Sequence, residues 1–312
     1  MRDGPLWAIT SYYNPTGYHR RSVNYRRFRQ GLETPLLTVQ LSFHDTFELG
    51  EDEADRMIQL QGGDVMWQKE RLLNLALEAL PDRCQFVAWL DCDLIFPKSG
   101  WADRAMGLLQ EFQIIQPFRR VQYLGRNWRV GEVPANHVER TRVSLASGVT
   151  AERPADICME QSSATGRMSP YANGIAWVGR RSLLSQHGFY DARIVGGGDR
   201  ALACAAYGCF EAMISRHELN ARQSQHYLEW AQPFHQTIGG SVSHLNETVY
   251  HLWHGDVANR GLGSRQTILR DCEFDPYVDI ARADSGCWRW NTGKPKLHKK
   301  VRDYFDARKE DG

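Results

Sequence analysis

Asp91-Cys92-Asp93 closes a short apolar run, Phe86 to Leu90. Two carboxylates one residue apart at the end of a buried strand can chelate a hard divalent cation, Mn2+ or Mg2+, and such a cation bridges the oxygens of a diphosphate. The plainer reading is a pair of solvated acids capping a loop; the preceding strand weighs against it, because it fixes where the carboxylates point. A second group is Gly196-Gly197-Gly198-Asp199, after Gly188-Phe189-Tyr190-Asp191. Glycines here allow backbone conformations that other residues avoid, and Gly197 and Gly198 let a substrate approach the main chain closely. Asp199 then opens a helix, where its charge suits the dipole, and a carboxylate there can take a proton from a hydroxyl as general base. The alternative is an N-cap after a flexible turn. Third, Tyr250-His251-Leu252-Trp253-His254-Gly255-Asp256 holds two histidines. Thr248-Val249-Tyr250 has strand character, which sends His251 and His254 to opposite sides. One is therefore expected at the cation and the other in a structural or substrate role.

These groups need a frame. Leu6 to Tyr13 reads as a first strand, closed by Asn14-Pro15-Thr16-Gly17, and a basic helix follows from Tyr18 to Leu32. Leu36 to Phe43 and Met57 to Gln61 read as further strands. Asp64 is the expected N-cap of a helix from Val65 to Leu80, with Leu73, Ala76, Leu77 and Leu80 on one face. Phe86 to Leu90 has the continuous apolar character of a buried parallel strand. Strand and helix alternate, so the expected fold is α/β, with a mostly parallel central sheet flanked by helices and ligands bound beyond the strands' carboxyl ends. Asp91 and Asp93 sit there. Ile114 to Pro117 is another strand; between Arg119 and Pro170 the pattern dissolves into an expected irregular segment. Gly174 to Val178, a helix over Arg181 to His187, a helix over Asp199 to Gly208 and a terminal helix over Lys299 to Arg308 complete the pattern. The expected division is 1–118, 119–260 and 261–312, within one continuous domain.

The 312 residues carry a formal net charge of +1, so no global field points to nucleic acid or a membrane. Local charge does: Tyr18 to Arg29 holds Arg20, Arg21, Arg26, Arg27 and Arg29 without an acid, and Arg126 and Trp128 mix cationic and stacking groups. Such mixtures suit a polyanionic acceptor, a glycan or a nucleic acid with modified bases. The bland alternative is a solvated helix face with one or two arginines serving a diphosphate. Seven scattered cysteines without a CxxC pair favour reduced thiols. With no signal-peptide pattern and no apolar stretch long enough to span a membrane, the expectation is a cytoplasmic protein of bacterial or viral type. P-loop, GxGxxG, GxSxG and HExxH patterns are absent from the sequence.

Taken in order, the stretches WAITSYYNP, GGDVMWQKERLLNLALEALP leading into FVAWLDCDLIF, YANGIAWVGRRSLLSQHGFYDARIVGGGD and YHLWHGD resemble GT-A glycosyltransferases, particularly family-2-like enzymes, over Leu6 to Asp256. The resemblance implies a nucleotide-sugar donor, UDP-sugar favoured, and a divalent metal. Thr10, Ser11 and Tyr13 would line the base and ribose pocket, with Asp45 or Glu48 helping, and Lys69, Arg71 or Asn74 would reach the nucleotide. Asp93 would be the principal metal ligand, with Asp91 on the ribose or a metal-bound water and His254 or His251 completing the shell. Asp199 would be the base of an inverting displacement. Many relatives carry a Glu-Asp pair where this chain has Gly198-Asp199, which leaves a single carboxylate here. Two other readings stay open: a metal-dependent nucleotidyltransferase on a related α/β sheet, and a non-catalytic sugar-nucleotide-binding protein.

Overall fold

The computed structural model describes residues 4–129, 131–150, 152–160, 169–261 and 265–312. Its largest sheet has seven strands in the order Val242–His244, Ile114–Gln116, Ala176–Arg180, Phe86–Leu90, Leu6–Tyr13, Leu36–Leu41, Arg56–Leu60. The strand Phe86–Leu90 is central. It runs parallel to Leu6–Tyr13, pairing Leu6 with Phe86 and Ile9 with Trp89, and antiparallel to Ala176–Arg180. The sheet is thus mixed but mostly parallel, as the alternation of strands and helices requires.

Both faces are covered, and the two-residue period of the strands sorts side chains between them. Trp7, Ile9, Val87 and Trp89 join the helices Lys69–Glu78, Gly198–Tyr207 and Ala221–Ile238 in one core. Leu6, Ala8, Phe86, Ala88 and Leu90 join Tyr25 and Phe28 of the helix His19–Gly31, and Trp101 and Ala105 of the helix Trp101–Leu108, in the other.

Three expectations need correction. The helix after Gly63 begins at Lys69, not at Val65. Asp64 does not cap it: its carboxylate accepts from Trp290 N (2.7 Å), and its own amide donates to Trp288 O (3.0 Å), so the hairpin of Ile280–Arg282 and Trp288–Trp290 pins residues 64–68 outside the helix. The segment expected to be irregular contains strands Arg120–Leu124 and Val138–Ser144, although part of it, 161–168, lies outside the described residues. These strands belong to a second sheet, ordered Leu94–Ile95, Thr248–His251, Arg120–Leu124, Val138–Ser144, Tyr171–Ala172. Finally, the longest described helix, Ala221–Ile238, was not anticipated. Asn220 caps it by accepting from Gln223 N, and Tyr227 donates its hydroxyl to Ala201 O (3.0 Å), locking it to the helix that starts at Gly198. Among the described residues no helix is long and apolar enough to cross a membrane.

Candidate active site

The two-residue strand Leu94–Ile95 follows Asp93 directly and pairs antiparallel with Thr248–His251, His251 opposite Leu94. Leu252 N donates to Asp93 O (2.8 Å), ending the strand, and the chain then turns through Gly255 at φ 89°. That turn, absent from the straight-strand expectation, brings both histidines onto Asp93 rather than to opposite sides. His251 Nε2 lies 3.5 Å from Asp93 Oδ1 and His254 Nε2 3.2 Å from Oδ2. The three ligand atoms are within 4.8 Å of one another.

Neighbouring groups fix the proton positions. His251 Nδ1 donates to Leu252 O (2.8 Å), and a carbonyl only accepts, so Nε2 carries a lone pair. Arg260 donates to His254 Nε2 (3.0 Å), so that nitrogen too is unprotonated, while Nδ1 faces the buried Glu310 carboxylate at 3.7 Å. Burial, with Arg260 beside it, pushes His251 down to about 3 and His254 well below the usual histidine range. Burial raises the Asp93 carboxyl to about 6, and its Oδ1 is buried with no hydrogen-bond partner among the described residues. Three acceptor atoms therefore converge with no proton of their own between them; Arg260 donates to one, and a cation displacing that donor would satisfy all three at once.

Asp91 stands apart from this cluster. Lys69 Nζ lies 2.6 Å from Asp91 Oδ1 and 2.9 Å from Asp199 Oδ1, bridging the two acids. Burial works against the ammonium, but Asp199, Asp91 and Glu70 outweigh it and hold the Lys69 proton well above the usual lysine range. The turn Asn173-Gly174-Ile175 holds the same pair of acids. Asp91 N donates to Ile175 O (2.9 Å), and a side chain at Gly174 would overlap the Asp199 carboxylate. Ile175 has φ 80°, a strained conformation for a β-branched residue.

The glycines that precede Asp199 answer to two constraints. Gly196 and Gly197 have φ 83° and 111°, and a side chain on Gly197 would overlap His217. Gly198 begins the helix that carries Asp199, and the space beside it is filled by the Glu70 carboxyl. A second acid thus does stand near Asp199. It comes from position 70, and burial raises its proton affinity to about 8, Asp199 and Asp91 adding to the rise and Lys69 opposing it.

Both groups of acids open into one cavity of about 610 Å³, lined also, among the described residues, by eight arginines. Buried donors at its wall, Trp67 Nε1, Arg260 Nε and Arg265 Nε, have no hydrogen-bond partner among the described residues. Thr10, Ser11, Tyr13 and Gly197 line it as well; the Thr10 hydroxyl donates to Leu90 O (2.7 Å) and so fixes the end of the central strand. Arg71 and Asn74 do not line it. Arg71 pairs with Asp191 (3.2 Å), and Asn74 bonds Asp191 and both the amide and carbonyl of Phe189. Glu48 accepts from Tyr12 and Asn14, and neither it nor Asp45 reaches the cavity. Arg126 leans on Trp253 and donates to Asp311 O, Trp128 is buried against Leu124 and Leu252, and neither lines the cavity. Three of the five arginines of the basic segment are paired with acids, Arg21–Glu310, Arg26–Glu53 and Arg29–Asp55, which weakens the charge pattern behind a nucleic-acid acceptor. Arg308 and Glu310 reach the cavity from the last residues of the chain, a contribution no local motif signals.

No known family model matches the chain, and no curated protein is significantly similar in sequence. Solved structures do align with it. TarS of S. aureus matches over 98% of this chain and 43% of its own length, at 13% identity and a TM-score of 0.40. Its 1–349 fragment in complex with UDP-GlcNAc matches over 98% and 72%, at 14% identity and 0.40. A Drosophila β-1,4-galactosyltransferase 7 variant, in complex with manganese, UDP-Gal and xylobiose, matches over 94% and 97%, at 11% identity and 0.39.

Proposed function

We propose that the chain is a metal-dependent glycosyltransferase of the GT-A type, moving a sugar from a nucleotide-sugar, a UDP-sugar in the first instance, to an acceptor hydroxyl with inversion. The observation that carries this reading is the pair of sites in one cavity: Asp93, His251 and His254 with their lone pairs converging, and Asp199 beside Lys69. Two imidazoles in the ligand set favour Mn2+ over Mg2+, which prefers oxygen ligands and water. When bound, the cation neutralises charge on the diphosphate leaving group.

The chain's own residues supply the rest. Arg260 and Arg265, with unpartnered Nε donors, bind diphosphate oxygens, and Trp67 closes the wall beside them. Lys69 orients Asp199, which takes the acceptor's hydroxyl proton as the acceptor oxygen bonds to the anomeric carbon. The bond from that carbon to the diphosphate oxygen breaks, and its electrons leave with the nucleotide. Asp91, held by the same lysine, remains on the donor side as a partner for ribose or sugar hydroxyls. A glycan hydroxyl is the acceptor that fits this chemistry.

The test is a thermal-shift panel of UDP-, GDP-, dTDP- and CMP-sugars, each with Mn2+ and with EDTA. A ligand at a hundredfold excess over Kd stabilises the native state by ~2.7 kcal/mol. The expected result is a metal-dependent rise in Tm with one nucleotide class. A rise with plain nucleoside triphosphates and with no sugar nucleotide would overturn the reading in favour of nucleotidyl transfer.

A further inference from the structure

Gly198 differs from the two glycines before it. Gly196 and Gly197 have positive φ, whereas Gly198 does not and sits in ordinary helical backbone that any residue can adopt. What fills the side-chain space there is the carboxyl end of Glu70, which a Cβ at 198 would have to displace. Glu70 is 5% exposed, and among the described residues its carboxyl is supported by its own backbone amide and by no side-chain ion pair or hydrogen bond. Burying a carboxyl in this way is unfavourable unless the site requires it. The fold nevertheless keeps Glu70 and gives up a side chain at 198, the residue immediately before Asp199.

We propose that Glu70 is the positioning acid behind Asp199: its carboxyl occupies the side-chain space of Gly198, packs against the first residue of the helix that carries Asp199, and so sets where Asp199 meets Lys69 at the cavity. Positions 70 and 198 are therefore one coupled choice. The functional part of this inference rests on the glycosyltransferase reading; the pairing of the two acids does not. Glu70 does not line the cavity, so it acts through Asp199. The Lys69 ammonium is ion-paired with Asp91 and Asp199, and a charged Glu70 would be a third carboxylate near it. A proton kept on Glu70 leaves two carboxylates facing that ammonium instead of three.

The pairing can be tested in the full chain without substrate. The charged and titratable groups around Glu70 are Lys69 on its own helix, Asp199 on the helix at Gly198, Asp91 after the central strand and Tyr13 on the first strand. A carboxyl whose proton affinity is raised on folding contributes stability that is present below its unfolded pKa of about 4.5 and is lost as pH rises through about 8. Wild-type Tm should therefore fall relative to Glu70→Gln between about pH 5 and 8. In an Asp199→Asn background that difference should shrink and move to lower pH, because the Asp199 charge is part of its cause. A difference unchanged by Asp199→Asn would overturn the pairing.

Turnover tests the functional part. Glu70→Ala should lower kcat at least about tenfold with the donor KM within about twofold, since binding groups are untouched. Gly198→Glu alone should be worse, because it collides with Glu70. Glu70→Ala combined with Gly198→Glu should recover at least about tenfold over Gly198→Glu and exceed Glu70→Ala. A double variant with wild-type Tm but no more activity than Glu70→Ala would overturn the positioning role. A wild-type chain that turns over no sugar nucleotide would sink the transferase reading instead, and the pH–Tm cycle would still decide whether the two acids are paired.

Discussion

Two imidazoles that turn lone pairs on one carboxylate repel it until something positive enters, and at Asp93 each tautomer is set by a different neighbour. Leu252 O holds His251, and Glu310 stands behind His254. Asp93→Ala should abolish Mn2+ binding in calorimetry, and Glu310→Gln, which leaves the three ligands in place, should weaken it about 10–100-fold. Asp199→Asn should keep donor binding and lower turnover by about 10²–10⁴, read as kcat against KM; full activity would remove Asp199 as the base. Asp93 and Asp199 were legible in the sequence because each ends or begins an element whose signal is local: an apolar run before one, a glycine run before the other. Glu70 and Glu310 were not. Nothing within a few residues of either marks it, and each meets its partner only after the chain has folded back across more than fifty residues, to Gly198 and His254 in turn.

At the scale of elements, periodicity found the strands of the large sheet and missed the small sheet that delivers the histidines. A two-residue strand such as Leu94–Ile95 has no period to detect, and its meaning comes from pairing with Thr248–His251. The helix Ala221–Ile238 did carry a signal: Asn220 followed three residues later by Gln223, then Tyr227, Ala231, Phe234 and Ile238 at helical spacing. Pro233 within that stretch obscures it. Arg71 and Asn74 show the reverse error, since polar residues on a helix near a binding site were assigned to the ligand although the fold uses them to hold the Phe189–Asp191 loop. Asn74→Ala removes both amide contacts to Phe189 and should lower stability by about 1–3 kcal/mol, seen as a drop in Tm, with Mn2+ affinity unchanged.

For the whole molecule, first helix and last residues form one unit. Tyr18 OH donates to Asp306 O (2.9 Å) and accepts from Lys309 N (3.0 Å). Asp311 accepts from the amides of His19 and Arg20 at the helix start, where the sequence places no acid. Deleting residues 308–312 should therefore lower Tm and weaken Mn2+ binding together. Asp311→Ala should lower stability by about 0.5–2 kcal/mol, the cost of a lost helix cap, seen as a drop in Tm with Mn2+ binding unchanged. The glycine run has its own consequence for anyone reshaping this protein by directed evolution. Side chains at 196, 197 and 198 would meet Trp67, His217 and Glu70 in turn. A library that varies the loop alone samples mainly collisions. The smallest set of codons that can be varied productively spans all six positions, drawn from three distant stretches of the gene.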